Sequence, residues 1–243
     1  MTAATDDART AELAANLSRL RARIDAGLAQ AGREPGEATL VAVTKTFPAA
    51  DVVRLARLGV TDIGENRDQE AAAKATEVAA AGARVRWHFV GKLQRNKCRS
   101  VVRYAQLVHA VDGARLAAAL GNALRRVDGG APERTLDVLV QVSIDGDPAR
   151  GGMPTAGVAE LADIVAGTPG LRLRGVMAVA PLGWEPAAAF ARLAEVAQAV
   201  RAAHPTATII SAGMSGDLEA ALAYGATHLR IGSALLGKRD PLR

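Results

Sequence analysis

The stretch DDARTAELAANLSRLRARIDAGLAQAG places apolar residues at helical spacing, and Gly32 is positioned to stop it. Beyond it the pattern changes. Short apolar or β-branched runs alternate with longer amphipathic segments rich in Ala and Leu. The strand-like runs are ATLVAVTK, TDIGEN, RWHFVG, QLVHAVD, LDVLVQVS, LRGVMAVA, ATIISAG and HLRIGSALL. Each of the first seven is followed by a segment of helical periodicity, and AAAFARLAEVAQAVRAAH is the clearest of these. Strands that alternate with helices predict a parallel sheet, because a parallel connection needs a crossover. Eight strands close a (β/α)8 barrel, and the 243 residues are near the typical length of about 250. An open doubly wound sheet is the competing arrangement, but no G-x-G-x-x-G follows the first strand.

No long linker, low-complexity tract or internal repeat divides the chain. The expectation is one α/β domain: an N-terminal helix and linker over 1–37, a TIM-type barrel over 38–237 and a polar tail over 238–243. Hydrophobic residues make up 49% of the chain and aromatics only 3%, so the core must be built from Ala, Val, Leu and Ile. The single cysteine, Cys98, allows no intramolecular disulfide and fits a reducing compartment. MTAATDDART lacks the basic-then-apolar order of a signal peptide, and no apolar run is long enough for a membrane helix. A cytoplasmic protein is expected. A net charge of +5 permits acidic partners without demonstrating any. His88, His109, His204 and His228 have no metal-ligand spacing with each other or with Cys98, so no metal site is expected. His88 and His109 fall inside strands and read as core or pocket-wall residues, Trp87 and Phe89 as packing. Cys98 sits among Arg95, Lys97 and Arg99 and reads as an exposed thiol.

In such a barrel the C-terminal strand ends form the functional face. Those ends read Lys45, Glu65-Asn66, Gly91-Lys92, Asp112, Ser143, Ala178–Ala180, Gly213–Gly216 and Gly232-Ser233, a polar and glycine-rich set. Lys45 closes an apolar run. It is either a lysine that snorkels into solvent or a Schiff-base lysine, its amine freed for a carbonyl by partial desolvation. In SAGMSGDLEAAL a strand is expected to end at Gly213, with Ser215 at the N-cap of the next helix and Gly216 beside it. Gly232-Ser233 follows the next strand. Taken singly, Ser215 caps a helix and Gly232 makes a turn. Taken together they look like the phosphate site built by the loops after strands seven and eight. Asp217 stands against that reading unless it points away. Strand alternation puts Arg230 on the face of Gly232; otherwise it is a salt-bridged barrel arginine.

A lysine after strand one, a phosphate cup after strands seven and eight and an arginine on strand eight suit pyridoxal 5′-phosphate (PLP). The sequence resembles the family of PLP-binding homeostasis proteins, single-domain relatives of the alanine racemase barrel. The likeness runs from about Leu40 to Gly237. It is carried by VAVTKTFP, IGENRDQE, WHFVGKLQRNK, VHAVD, GVMAVAP and GMSGDLEAALAYGATHLRIGSALLG. The resemblance implies a barrel of PLP fold type III, with Lys45 forming the internal aldimine. It implies that Ser215, Gly232 and Ser233 hold the phosphate and that Arg230 faces the pyridine nitrogen. Asn66 would touch the ring or its immediate support, and Met177 would line the pocket floor. Arg67-Asp68 stands where many relatives carry an aromatic and an apolar residue, and DPARGGMP replaces a segment that often reads lysine-histidine-glycine. Both departures spare the cofactor contacts and bear on what approaches the open side.

An arginine donates a hydrogen bond and keeps its proton, so a pyridine nitrogen facing Arg230 stays unprotonated and the ring is a weaker electron sink. The racemase of the resemblance also takes a tyrosine base from a second domain of a partner subunit. This chain, ending soon after strand eight, is not expected to carry that domain, and Tyr104 and Tyr224 fall in expected helices. The first reading is therefore non-catalytic: intracellular PLP homeostasis or delivery, with apo PLP-dependent enzymes as acceptors. The alternative is an enzyme, either an amino-acid racemase or a Schiff-base aldolase with Glu65 and Asp112 in reach of Lys45. Ranked last is a nucleic-acid-binding module using the basic 92–103 segment, whose bland reading is a solvated helix face.

Overall fold

The structure, a computed structural model, describes residues 3–127, 129, 134–147 and 151–237. Eight short strands form its centre: β1 (Thr39–Val43), β2 (Asp62–Glu65), β3 (Arg86–Phe89), β4 (Leu107–Val111), β5 (Leu136–Ser143), β6 (Leu171–Met177), β7 (Ile209–Ser211) and β8 (His228–Ile231). Each runs parallel to the next, and β8 returns to β1 with Arg230 opposite Val41, so the sheet closes. A two-residue strand, Met153–Pro154, lies on the end of β5. A barrel strand is covered on both faces, which is why its sequence is a continuous apolar run; Leu136 to Val140 of β5 are all buried, Asp137 among them.

The crossovers are α2 (Ala49–Arg57), α3 (Asp68–Ala80), α4 (Cys98–Tyr104), α5 (Ala114–Val127), α6 (Val158–Ala166), α7 (Pro186–Ala203) and α8 (Leu218–Ala223), with a last turn, α9 (Ser233–Leu236), after β8. Most of the apolar core lies between this helix ring and the outer faces of the strands. A small layer of Leu107, Ala110, Leu139, Met177 and Ile209 forms a separate cluster.

Two expected strands differ in extent. HLRIGSALL is a strand only to Ile231. Its SALL is the helical turn α9, because the chain leaves the barrel rim at Gly232 and buries Leu235 and Leu236. LRGVMAVA is a strand from Leu171 to Met177, displaced toward the N-terminus. Gly175 within it has φ +143°, and a Cβ there would lie 1.9 Å from the Ile209 oxygen, so only glycine lets β6 and β7 approach.

The N-terminal helix is α1 (Ala3–Gln30). Its Leu13, Leu17, Leu20, Ile24 and Leu28 are buried at steps of three or four, which keeps them on one stripe. That stripe covers α8 and α9, the two shortest helices of the ring. Among the described residues, no helix is long and apolar enough to cross a membrane. The expected polar tail over 238–243 lies outside the described residues.

Candidate functional site

A cavity of about 460 Å³ opens at the C-terminal mouth of the barrel. Its wall brings together Lys45, Asn66, Ser215, Arg230, Gly232 and Ser233, residues contributed by β1, β2, β7, β8 and the loops that follow them. Such a volume suits a cofactor-sized molecule.

Lys45 owes its position to its neighbours. Val43 and Lys45 both line the cavity, and alternation turns Thr44 the other way. There Thr44 Oγ1 donates to Glu65 Oε1 at 2.6 Å. Lys74 Nζ, from α3, donates to the same oxygen at 2.5 Å and to the Thr44 carbonyl at 2.8 Å. The end of β1 is thus pinned from outside by a buried ion pair. The turn then tightens, with the Phe47 amide donating to the Thr44 carbonyl and Thr46 at φ +70°. Lys45 is half-buried between these constraints.

Arg230 is buried and held by two acceptors. Nη1 donates to Ser211 Oγ at 2.7 Å and Nη2 to the Ala178 carbonyl at 2.8 Å. Burial lowers its pKa to about 10, against the opposing pull of Asp217, so the guanidinium is charged at neutral pH. The loops after β7 and β8 meet through their serines. Ser233 Oγ donates to Ser215 Oγ at 3.2 Å, and the Ala234 amide donates to Ser215 Oγ at 3.3 Å. Helix α8 starts later than the sequence suggests. Asp217, not Ser215, is its N-cap, and Asp217 Oδ1 accepts the Met214 amide at 2.6 Å. The carboxylate is therefore occupied within its own loop. Ser215, freed from capping, stands in the cavity wall.

Asn66 follows β2. Its Oδ1 is buried and finds no donor among the described residues. Gly91 makes room for it: a Cβ at Gly91 would lie 2.4 Å from the Asn66 carbonyl oxygen.

Other expected site residues lie elsewhere. Met177, the last residue of β6, is absent from the cavity wall and packs with Leu107, Leu139 and Ile209. Glu65 faces α3: its Oε1 accepts from Thr44 and Lys74, and its buried Oε2 finds no donor among the described residues. Asp112 also stays off the wall. Cys98 is buried, not exposed. Burial pushes its thiol up to about 11, overriding the cationic neighbours visible in the sequence. Tyr104 is buried on Trp87 and donates to Asp68 Oδ1 at 3.4 Å, while Tyr224 lies at the end of α8; neither lines the cavity. Val179 and Met214, from the expected strand ends Ala178–Ala180 and Gly213–Gly216, also line the wall, together with Phe47, Val90 and Gly237, which were not among the expected strand-end residues. Phe47 sits two residues from Lys45, and that proximity was its only signal.

The sequence profile of the family described as "Alanine racemase, N-terminal domain" matches residues 10–240. The chain belongs to this family. A relative named pyridoxal phosphate homeostasis protein, from Mycobacterium tuberculosis strain H37Rv, is 44% identical, with 95% of this chain and 94% of that protein aligned. The protein of the same name from Escherichia coli K12 is 37% identical, over 94% of this chain and 97% of its own length. Among solved structures, PipY of Synechococcus elongatus PCC7942, determined with PLP bound, superposes with a TM-score of 0.79 at 31% identity; the match covers 93% of this chain and all of that one. Alanine racemase from Corynebacterium glutamicum shares the fold alone, at TM-score 0.65 and 14% identity, over 92% of this chain and 60% of its own.

Proposed function

We propose that this chain binds PLP in the cavity at the barrel mouth and serves intracellular PLP homeostasis without turning over an amino acid itself. The observation that carries this reading is the convergence of Lys45, Arg230, Ser215 and Ser233 on one cavity wall. Its relatives' name and the PLP in PipY support it.

The residues fit the group. PLP has an aldehyde, a phosphate, a ring nitrogen and a ring hydroxyl, and the wall has a counterpart for each. Lys45 supplies an amine at the end of a pinned strand for the aldehyde carbon. Ser215, Ser233 and the side-chain-free Gly232 would hold the phosphate. Arg230 would donate to the ring nitrogen, and Asn66 brings an unmatched buried amide oxygen that a ligand hydroxyl can serve. When bound, PLP would supply a reactive aldehyde and a conjugated ring. The chain's part is to hold it. An arginine at the ring nitrogen donates without giving up its proton, so the ring is a poor electron sink there. No tyrosine lines the wall to act as a second base. The separation of Glu65 and Asp112 from the cavity removes the acid–base pair that an aldolase would use. Apo PLP-dependent enzymes are the acceptors this reading implies, and a half-buried lysine near an open mouth is reachable by another amine.

The test is spectroscopic. The purified protein incubated with PLP should develop a near-ultraviolet or visible band that borohydride abolishes, with the reduced label mapping to the Lys45 peptide. Lys45→Ala should lose the label and keep its fold. A label on Lys92 or Lys97 would reject the assignment.

A further inference from the structure

Five polar side chains cross the barrel from one mouth toward the other. Arg230 Nη1 donates to Ser211 Oγ at 2.7 Å. Ser211 Oγ lies 2.9 Å from His109 Nδ1, His109 Nε2 lies 2.9 Å from His88 Nδ1, and His88 Nε2 lies 2.9 Å from Asp62 Oδ1. Ser211 belongs to β7 and His109 to β4, strands that do not pair, so this link spans the barrel interior. Ser211, His88 and His109 are fully buried. Asp62 begins β2 and keeps 18% of its side chain exposed.

The chemistry of the two ends gives the chain a direction. A guanidinium can only donate, so Ser211 Oγ accepts from Arg230 and its own proton is left for His109 Nδ1. A neutral His109 then carries its proton on Nε2 and donates to His88 Nδ1. His88, by the same logic, is protonated on Nε2 and donates to Asp62. An ionised carboxylate can only accept, so the far end agrees with the near one. Burial, the largest influence on both histidines, lowers their pKa values, that of His109 far below the ordinary value, which keeps both rings neutral near pH 7. Around the chain, Arg86 and Arg230 oppose protonation of the rings, while Asp62 and Asp137 favour it at His88. The third interior imidazole, His228, lies tilted at 6.2 Å from His88 and edge-on at 6.5 Å from His109, and its Nδ1 contacts Thr227 Oγ1 instead.

We propose that Asp62, His88, His109 and Ser211 are positioning residues that form a one-directional hydrogen-bond relay holding Arg230 toward the cavity, with both histidines fixed as Nε2–H tautomers. Taken toward the cofactor, this rests on the PLP reading above. The aligned dipoles run from a buried cation to a carboxylate at the opposite mouth, which offsets the desolvation of a guanidinium that, among the described residues, has no carboxylate hydrogen-bonded to it. Arg230 is thereby fixed in one rotamer, and its remaining N–H groups are left for a ring nitrogen in the cavity.

Histidine tautomers can be read without cofactor. Long-range 1H–15N spectra of the PLP-free protein should show His88 and His109 neutral and protonated on Nε2 near pH 7. A proton on Nδ1 of either ring, or a charged ring, would overturn the relay whatever PLP does. Ser211→Ala removes the donor to His109 Nδ1 and the acceptor of Arg230. It should move the His109 nitrogen signals, weaken PLP about tenfold and shift the absorption band of the bound cofactor. Ser211→Thr restores the hydroxyl and should restore all three. If Lys45 takes up PLP and Ser211→Ala changes neither affinity nor band, the relay is rejected and the PLP reading stands. If the unaltered protein takes up no PLP, that reading falls and the tautomers alone decide the relay. Should Ser211→Ala not fold, the tautomers of the unaltered protein decide it as well.

Discussion

Thr46 is the one non-glycine residue of the described chain with positive φ, and it is β-branched and directly follows Lys45. A conformation of this kind costs on the order of 1–3 kcal/mol and persists only where its surroundings over-determine it. Here those surroundings are the Glu65–Lys74 pair and the Phe47–Thr44 bond. Thr46→Gly should therefore leave the melting temperature unchanged or a few degrees higher, yet slow covalent PLP attachment by loosening the lysine; faster attachment would show that the strain does not serve Lys45. In the proposed phosphate cup, Ser215→Ala with Ser233→Ala should weaken PLP by a few kcal/mol, since a hydrogen bond to a charged group contributes roughly 1.5–3 kcal/mol. Pyridoxal without phosphate should bind poorly and respond little; equal losses for both ligands would mean that the serines act through the fold. Lys45, Ser215, Arg230 and Gly232 were legible in the sequence because an unusual residue type stood at a strand end. Met177 came only from the resemblance, which carries a position but not its depth: the residue packs with Leu107, Leu139 and Ile209 instead of on the cavity wall. The partners of Ser211 were not legible at all, since His109 and Ser211 meet only across a closed barrel.

Helix α1 has a structural assignment that periodicity could not supply. The helix itself was legible from its apolar stripe, but not what the stripe covers. It lies over α8 and α9 and reaches the loops proposed to hold the phosphate with polar side chains. Arg23 Nη1 donates to the Ser215 carbonyl at 2.9 Å and Arg23 pairs with Glu219, while Asn16 Nδ2 donates to the Leu235 carbonyl at 2.9 Å. Helices as short as α8 and α9 have little stability of their own, so α1 fixes the two loops that their own helices cannot. Arg23→Ala should lower PLP affinity several-fold while changing the melting temperature little, because the pair is partly solvent-exposed. The hydrogen bond from Arg23 holds the Glu219 carboxyl below its ordinary value. A depressed folded-state value stabilises above the unfolded value and is lost as pH falls through the folded one. The cup should accordingly loosen in acid, and hydrogen exchange at residues 214–223 would follow it. Exchange there that ignores both acid and Arg23→Ala would break the link between α1 and the cup.

Three of the four histidines, His88, His109 and His228, lie buried inside the barrel, while His204 ends α7 and pairs with Asp163; Lys45 stands at the mouth. Burial lowers the pKa of His228 to about 4, and lowers those of His88 and His109 as well. The unfolded chain then binds more protons than the folded one between about 4 and the ordinary 6.5, so stability should rise with pH across that window. Chemical denaturation at a series of pH values would measure the slope, and a flat profile would mean that the rings protonate in place. The architecture also decides what the cavity cannot do. Exchange of a Cα proton with inversion needs one group on each face of the bound amino acid, and each positioned acid or base typically contributes about 10²–10⁴-fold. Lys45 can serve one face. On the described wall, the remaining groups are Asn66, two serines and Arg230, none of which is a base near neutral pH, and both tyrosines lie away from it. Racemisation should therefore be negligible. The assay is incubation of the PLP-loaded protein with L-alanine and other L-amino acids in deuterated water, following Cα exchange and the D-isomer together. Slow exchange with retention is expected, because only the lysine face is served. Rapid accumulation of a D-amino acid, lost in Lys45→Ala, would require a second base that this cavity does not contain and would restore the enzyme reading.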